Sequence, residues 1–322
     1  MFYNCDCIKG AKKYLKDNSV DLIITDPPYG ISGENLHKHY NRNEASVIEG
    51  YLEVSESDYP EFTQNWISEA ERVLKPGGSI YIVSGYTNLR HILNSLANTK
   101  LKEKNHIIWK YNFGVFTSKK YVSSHYHILY YVKPGAVHTF NTYAFYGDSE
   151  KDETGKSLNY RDREDVWVIN REYKHGELKN KNELPIQLLA KMILYSSNPS
   201  DLVCDFFLGS FSTAKVAKVL DRNTCGFELN KKAFNHQQKE IQKVVKGSMI
   251  GVLRNIPENQ ITNSRKVITE VESDNIKTDY LILIETGLTK KSAIGALSTK
   301  YGRGYWSILK IIDGTTNKSK GK

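Results

Sequence analysis

Val20-Asp21-Leu22-Ile23-Ile24-Thr25-Asp26-Pro27-Pro28-Tyr29 is the stretch on which the reading turns. Its first six residues form a short apolar run, the pattern of a buried strand. The run ends in an acid, two prolines and an aromatic ring. Proline fixes φ, lacks an N–H and cannot extend a sheet ladder, so the turn is rigid. The residue before each proline is held extended, which turns the backbone carbonyls outward. Those carbonyls are acceptors, and ionised Asp26 adds more. Tyr29 offers a face on which a planar ring can stack. Such a turn suits an amino group on a flat heterocycle. An ordinary Asp-Pro turn continued by Gly30 reads the same way from these residues alone, so the rest of the chain has to decide.

The second informative stretch is Asp201-Leu202-Val203-Cys204-Asp205-Phe206-Phe207-Leu208-Gly209-Ser210-Phe211-Ser212-Thr213. It reads as another buried strand, a glycine-containing turn, and a helix through Ala214 to Leu220. Gly209 lets the backbone pass close to a ligand, and the helix start presents free N–H groups. A third short strand, Thr224 to Phe227, ends in Glu228. In nucleotide-binding α/β folds an acid about 20 residues beyond the glycine turn holds ribose hydroxyls. An ordinary βαβ unit, with Gly209 as a spacer, is the alternative.

Together these segments resemble the amino-methyltransferases of DNA, which use S-adenosylmethionine (SAM) to methylate adenine N6 or cytosine N4. The match spans roughly residues 1 to 245. Asp26, Pro27, Pro28 and Tyr29 reproduce the family's catalytic motif in full. Asp205, Phe207, Gly209, Ser210 and Thr213 reproduce its cofactor motif in part, with Ser212 beside them. The catalytic motif precedes the cofactor motif, which resembles the permuted β group. The resemblance implies a Rossmann-like α/β methyltransferase fold with a mostly parallel sheet. It also implies cofactor contacts from Asp6, Asp205, Phe207, Gly209, Ser210, Ser212, Thr213 and Glu228. Two positions depart from the pattern: Phe206 replaces a proline and Phe211 a glycine. The family's Gln-Lys-Pro element reads Asn182-Glu183-Leu184-Pro185 here. A cofactor-weakened, DNA-binding relative is therefore the rival from another class.

The chemistry fits the residues. An exocyclic amine is a poor nucleophile because its lone pair is delocalised into the ring. Acceptors aimed at both amino hydrogens favour a pyramidal nitrogen and stabilise the charge that develops on it, most strongly where water is excluded. The base must leave the duplex to be reached. The reading is an enzyme acting on adenine N6 in double-stranded DNA, with cytosine N4 as the alternative. RNA and protein glutamine are further rivals.

Composition sets the outer bounds. A chain of 322 residues holds one large α/β domain and a small appendage. A net charge of +9 favours a polyanionic partner. Cys5, Cys7, Cys204 and Cys225 stand on expected core segments with no metal-ligand spacing, as buried thiols of a reducing compartment. No signal-like segment opens at Met1-Phe2-Tyr3 and no apolar run is long enough to cross a bilayer, so a cytoplasmic location is expected.

Strands alternating with helices give an α/β sheet. Residues 1–253 are expected to form the catalytic domain and 254–322 a basic, mainly helical module. A polar loop from Ile31 to Asp58 is a candidate lid or a plain insertion. A helix from Tyr59 to about Leu74 ends at Pro76-Gly77-Gly78, followed by a strand from Ser79 to Val83 and by Tyr86, a candidate for the base pocket. Between Trp109 and Lys133 aromatics alternate with bases, a pattern suited to a flipped base, with Tyr111, Phe113, Phe116, Tyr121 and Tyr126 among them. Lys119 and Lys120 are assigned to phosphate. An insert at about 134–182, carrying Arg161, Arg163, Arg171 and Lys174, is the candidate for target recognition. Short helices are expected over Asp279–Thr286, Lys290–Thr299 and Tyr305–Ile312, loosely resembling a helix-turn-helix, with Lys290, Lys291 and Arg303 on DNA. A restriction endonuclease and a second copy of the chain are possible partners.

Overall fold

The computed structural model describes residues 1–30, 54–112, 114, 117–144, 152–156, 163–171, 183–248, 268–285 and 288–314. They fall into two compact units, Met1–Arg254 and Asn255–Lys322. The polar loop from Ile31 lies outside the described residues up to residue 53, and so does the expected linker.

In the first unit, β1 (Phe2–Tyr3), α1 (Cys7–Tyr14) and β2 (Val20–Thr25) precede α2 (Tyr59–Val73), β3 (Leu74–Ser84) and α3 (Leu89–Ala97). Then come β4 (Lys102–Lys110), β5 (His125–Val132), β6 (Val166–Val168), α4 (Ile186–Ser196), β7 (Leu202–Asp205), α5 (Ser212–Val219), β8 (Asn223–Phe227) and α6 (Lys231–Lys243). The strands form one sheet in the order β1-β8-β7-β2-β3-β5-β4-β6. Neighbours from β1 to β3 are parallel, β5 runs antiparallel to both β3 and β4, and β4 pairs parallel with β6.

The apolar run of β2 is explained by its central place. Leu22 and Ile24 join a core with Leu188, Leu189, Met192 and Ile193 of α4 on one face. Ile23 joins Trp66, Ile67 and Ala70 of α2 on the other. A strand covered on both faces loses the polar alternation of a half-exposed one. Each such side chain, fully buried, contributes roughly 1.5–3 kcal/mol.

The boundary between α2 and β3 differs from the sequence reading. Helix α2 stops at Val73, and β3 already begins at Leu74 and runs through Pro76-Gly77-Gly78. Those residues make an irregularity inside the pairing with β2, where Val20 faces Leu74 but Leu22 faces Ser79. Gly77 takes φ +79°, and Lys75 anchors the segment on Asp21 at 2.6 Å. A local insertion of this kind leaves the partner strand intact.

In the second unit α7 (Glu270–Glu285), α8 (Lys290–Tyr301) and α9 (Tyr305–Ile312) close on Ile276, Ile294, Leu297, Ile308 and Ile311. Helix α7 starts ahead of the expected Asp279. The Thr269 hydroxyl caps it by accepting from the Glu272 N–H at 3.2 Å, and Glu270 and Glu272 complement the positive end of the helix dipole.

Candidate active site

Strands β2 and β7 lie side by side, with Leu22 opposite Val203 and Ile23 opposite Cys204. Both run the same way, so Asp26 and Asp205 emerge at one edge of the sheet although they are far apart in sequence. That edge, outside the carboxyl ends of parallel strands, is where open α/β sheets place their ligands. The Thr25 hydroxyl ties the two strand ends together by donating to Asp205 Oδ1 at 2.9 Å.

The turn after β2 is held at several points. The Tyr59 hydroxyl at the start of α2 donates to the Pro28 carbonyl at 2.9 Å. The Asn88 amide donates to the Tyr29 carbonyl at 2.6 Å and to that of Gly30 at 3.2 Å. Pro27 is buried, while Asp26, Pro28 and Tyr29 remain partly open. The Tyr29 hydroxyl donates to Asp26 at 2.9 Å and 3.2 Å, contacting both carboxylate oxygens. Tyr29 is thus an anchor for the acid, a role added to the stacking face read from sequence.

Burial raises Asp26 to about 7; the Tyr29 hydrogen bond opposes the rise, Asp205 adds to it, and Arg171 opposes it. Burial also raises Asp205 to about 6, against hydrogen bonds from the Phe207 N–H, Thr213 and Thr25. Two carboxylates at neighbouring strand ends therefore titrate near neutrality, as groups at functional sites often do.

The loop after β7 is open on one side. A Cβ on Gly209 would come no nearer to its surroundings than 3.9 Å, so that side of the loop is open. The Gly209 N–H donates to Glu228 Oε2 at 2.8 Å, and the Asn230 N–H to Oε1 at 2.7 Å. Asp6 caps α1 by accepting from the Lys9 N–H at 2.9 Å. Asn4 next to it donates to the Glu228 carbonyl at 2.8 Å, bringing this segment to the end of β8. Ser210 and Ser212 share a hydrogen bond of 2.5 Å, and Ser212 also donates to Glu183 at 2.9 Å. Asp205, Phe207, Gly209, Ser210, Ser212, Thr213 and Glu228 thus gather around one loop, which fits a nucleoside cofactor with a hydroxylated ribose.

Both phenylalanines that depart from the family pattern are buried in apolar clusters. Phe211 is fully buried, with Phe2 and Phe234 at ring distances of 5.0 and 5.9 Å. Its backbone takes a left-handed φ of +59°, and the side chain packs into a separate cluster with Leu208 and Ile241. Phe206 packs on Trp66 and Phe227.

The basic residues divide differently from the sequence reading. Lys119 and Lys120 are exposed on the β4–β5 connection. Arg163 is exposed and lies over the Tyr143 ring at 5.6 Å. Arg161 falls outside the described residues, as do Phe113, Phe116, Lys174 and the Lys291 side chain. Lys290 pairs with Asp313 at 2.8 Å. Arg303 is a correction: only 5% of its side chain is exposed, and its Nε and Nη2 grip Glu272 at 2.9 and 2.6 Å. A guanidinium committed to a bidentate pair inside the helical unit is not a surface phosphate ligand. Tyr86 stands 61% exposed at the strand end.

Sequence reasoning missed Thr25, Tyr59 and Asn88, whose roles are side-chain contacts to backbone or to a neighbouring strand. Among the described residues no helix is long and apolar enough to cross a membrane.

Comparison with known proteins points the same way. The DNA methylase family model for N6/N4 methyltransferases matches residues 20–239. Type II methyltransferase M.BamHI of Bacillus amyloliquefaciens is 34% identical over 70% of this chain and 54% of its own length. DNA adenine methyltransferase YhdJ of Escherichia coli K12 is 33% identical over 70% of this chain and 76% of its own. The chain thus spans about half of M.BamHI and about three quarters of YhdJ. The solved M1.HpyAVI–SAM complex shares the fold, with a TM-score of 0.52 and 24% identity over 75% of this chain and 98% of that one. A family match over most of the catalytic unit, covering both the Asp26 turn and the Asp205 loop, shows that the chain belongs to the N6/N4 DNA methylase family.

Proposed function

We propose that the protein is a SAM-dependent DNA methyltransferase that modifies the N6 amine of adenine in double-stranded DNA. The observation that carries this reading is the joining of the two motif acids at neighbouring strand ends through Thr25, at 2.9 Å. SAM supplies the electrophilic methyl group. Asp205, Gly209, Ser210, Ser212 and Thr213 would hold it, with Glu228 on the ribose and Asp6 near the adenine. On the other side of the edge, Asp26 and the Pro27 carbonyl accept from the target amine while Tyr29 lies against the base. Holding amine and methyl donor together converts a bimolecular displacement into a local one.

The amine proton becomes acidic only once the new N–C bond is forming. Ionised Asp26 is a base on that turn, and a pKa of about 7 suits a proton acceptor at neutral pH. The target nucleotide reaches this pocket by leaving the helix. Adenine is preferred because the Asp-Pro-Pro-Tyr form resembles that of the adenine enzymes, and because a relative carries that activity in its name. The insert at about 134–182, Lys119, Lys120, Arg163 and the helical module are proposed to meet DNA, within a cytoplasmic restriction-modification setting. An endonuclease partner and a homodimer belong to the same proposal.

The test is transfer from labelled SAM to unmethylated DNA, followed by nucleoside analysis. N6-methyladenine supports the reading, and N4-methylcytosine keeps the mechanism but overturns the base. Asp26→Ala should abolish transfer and leave DNA binding intact; retained turnover would overturn the assignment of Asp26.

A further inference from the structure

Beyond the two motifs, one cation stands at the same edge of the sheet. Arg171 follows β6, within the insert, and its guanidinium lies over three rings: Tyr111 at 4.9 Å, Tyr126 at 5.2 Å and Trp109 at 5.8 Å. Trp109 and Tyr126 stack at 5.5 Å, and Trp109 is fixed by donating its indole N–H to the Ile169 carbonyl at 2.8 Å. The Tyr126 hydroxyl interacts with both Arg171 and Tyr29. The Tyr29 and Tyr126 rings are 6.1 Å apart, and Tyr29 in turn donates to Asp26. A continuous chain Arg171–Tyr126–Tyr29–Asp26 therefore joins the insert to the catalytic turn.

The arrangement is more than packing. Arg171 Nε is buried with no hydrogen-bond partner, so the side chain is seated by stacking and by Tyr126. Buried unsatisfied donors are few in native proteins and call for a reason. The Arg171 cation also acts on Asp26 through its charge, favouring the ionised form of the carboxylate.

We propose that Arg171 is a positioning residue for methyl transfer, fixing Tyr126 and Tyr29 and, through them, the orientation and charge of the Asp26 carboxylate. This rests on the assignment of Asp26 to the reaction. Among the described residues, the groups that bear on Asp26 are Tyr29 on its own turn, Asp205 at the end of β7, Tyr126 on β5 and Arg171 after β6. Tyr59 on α2 holds the same turn. Asp205 works against ionisation of Asp26, while Tyr29 and Arg171 work for it. Arg171 is the one cation among these groups, so its loss shifts the balance toward protonated Asp26.

The test compares Arg171→Gln and Arg171→Lys in the full-length protein, measuring single-turnover methyl transfer against pH at saturating SAM. Arg171→Gln should lower the rate at pH 7 at least tenfold and move the acid limb to higher pH. Arg171→Lys, which keeps the charge and loses the planar stack, should hold the limb close to the wild type while transferring slowly. A purely structural role would depress both variants with the limb unmoved, and that result overturns the proposal. If Arg171→Gln does not fold, Tyr126→Phe decides. It keeps ring and guanidinium but cuts the hydroxyl link, and should lower the rate constant without changing the KM for DNA; an unchanged rate constant also overturns the proposal. Loss of all activity in wild-type protein would instead strike the parent assignment, so the two failures are distinguishable.

Discussion

Removing the Tyr29 hydroxyl while keeping its ring should move the pH at which the enzyme switches off. Asp26 sits at about 7, raised by burial and held down from a higher value by the hydrogen bond from Tyr29. The sign follows from the direction. A carboxyl raised in the folded protein is protonated as pH falls through its folded pKa, so accepting power is present above about 7 and lost below it. At pH 6 about a tenth of the molecules keep an ionised Asp26, and kcat/KM for DNA, which at saturating SAM reports the form that meets the DNA, should fall in proportion. Tyr29→Phe deletes the donor. A hydrogen bond to a charged group is worth about 1.5–3 kcal/mol, and about 1.4 kcal/mol corresponds to one pKa unit, so the limb should rise by roughly one to two units.

The assay is kcat/KM for an oligonucleotide between pH 5.5 and 9. SAM is kept saturating, because Asp205 at about 6 would otherwise weaken cofactor binding in the same range. Phenylalanine preserves the stacking face but loses the contact that orients the carboxylate, so the plateau at high pH should fall as well, and the position of the limb is the separate readout. A limb at the same pH in both proteins would refute the coupling of Tyr29 to Asp26. A wild-type profile flat to pH 5.5 would refute the raised pKa itself.

Two further predictions concern the frame. Gly226→Ala would set a Cβ 2.3 Å from the Asp205 carbonyl oxygen and 2.8 Å from Leu208, a backbone collision that β8 can relieve only by moving. The expected cost is about 1–3 kcal/mol in thermal unfolding, with weaker SAM binding by calorimetry, and an unchanged midpoint and affinity would show that the strand spacing is not tight. Arg303→Met should remove the guanidinium that grips Glu272 and destabilise the helical unit by about 3 kcal/mol, the lower end for a broken buried pair because Glu272 keeps 21% exposure. Differential scanning calorimetry should show that loss, with DNA affinity preserved at low temperature; weakened DNA binding in still-folded protein would return Arg303 to the DNA.

What could be read from the sequence depended on how local its cause is. The β2 and β7 runs were legible because a strand covered on both faces must be apolar throughout, and the turns after them because proline and glycine restrict the backbone wherever they occur. The side-by-side placement of Asp26 and Asp205 followed only from resemblance, since strand order is a tertiary property. Pro76-Gly77-Gly78 misled because it carries the residues of a helix stop, while here it forms an irregularity inside β3. Arg303 misled for a related reason: a base between two glycines reads as surface until its Glu272 partner, on another helix, is known.

Arg171 shows the limit most clearly. In sequence it is one of several bases in a polar insert, with nothing to separate it from Arg163. In the fold, β6 pairs with β4 so that Trp109 lies opposite Trp167, and the chain beyond β6 passes over the Trp109–Tyr111–Tyr126 wall. The same pairing leaves Arg163 on the solvent side, over Tyr143. A segment proposed to read DNA thus sends one arginine outward and one against the catalytic turn. Because Arg171 is linked to Asp26 through two tyrosines, a contact between DNA and the insert would bear on the position of the acceptor that the amine meets. Target binding and the competence of Asp26 would then be coupled through this one side chain, which is why the charge-conserving Arg171→Lys variant discriminates better than deletion of the whole insert.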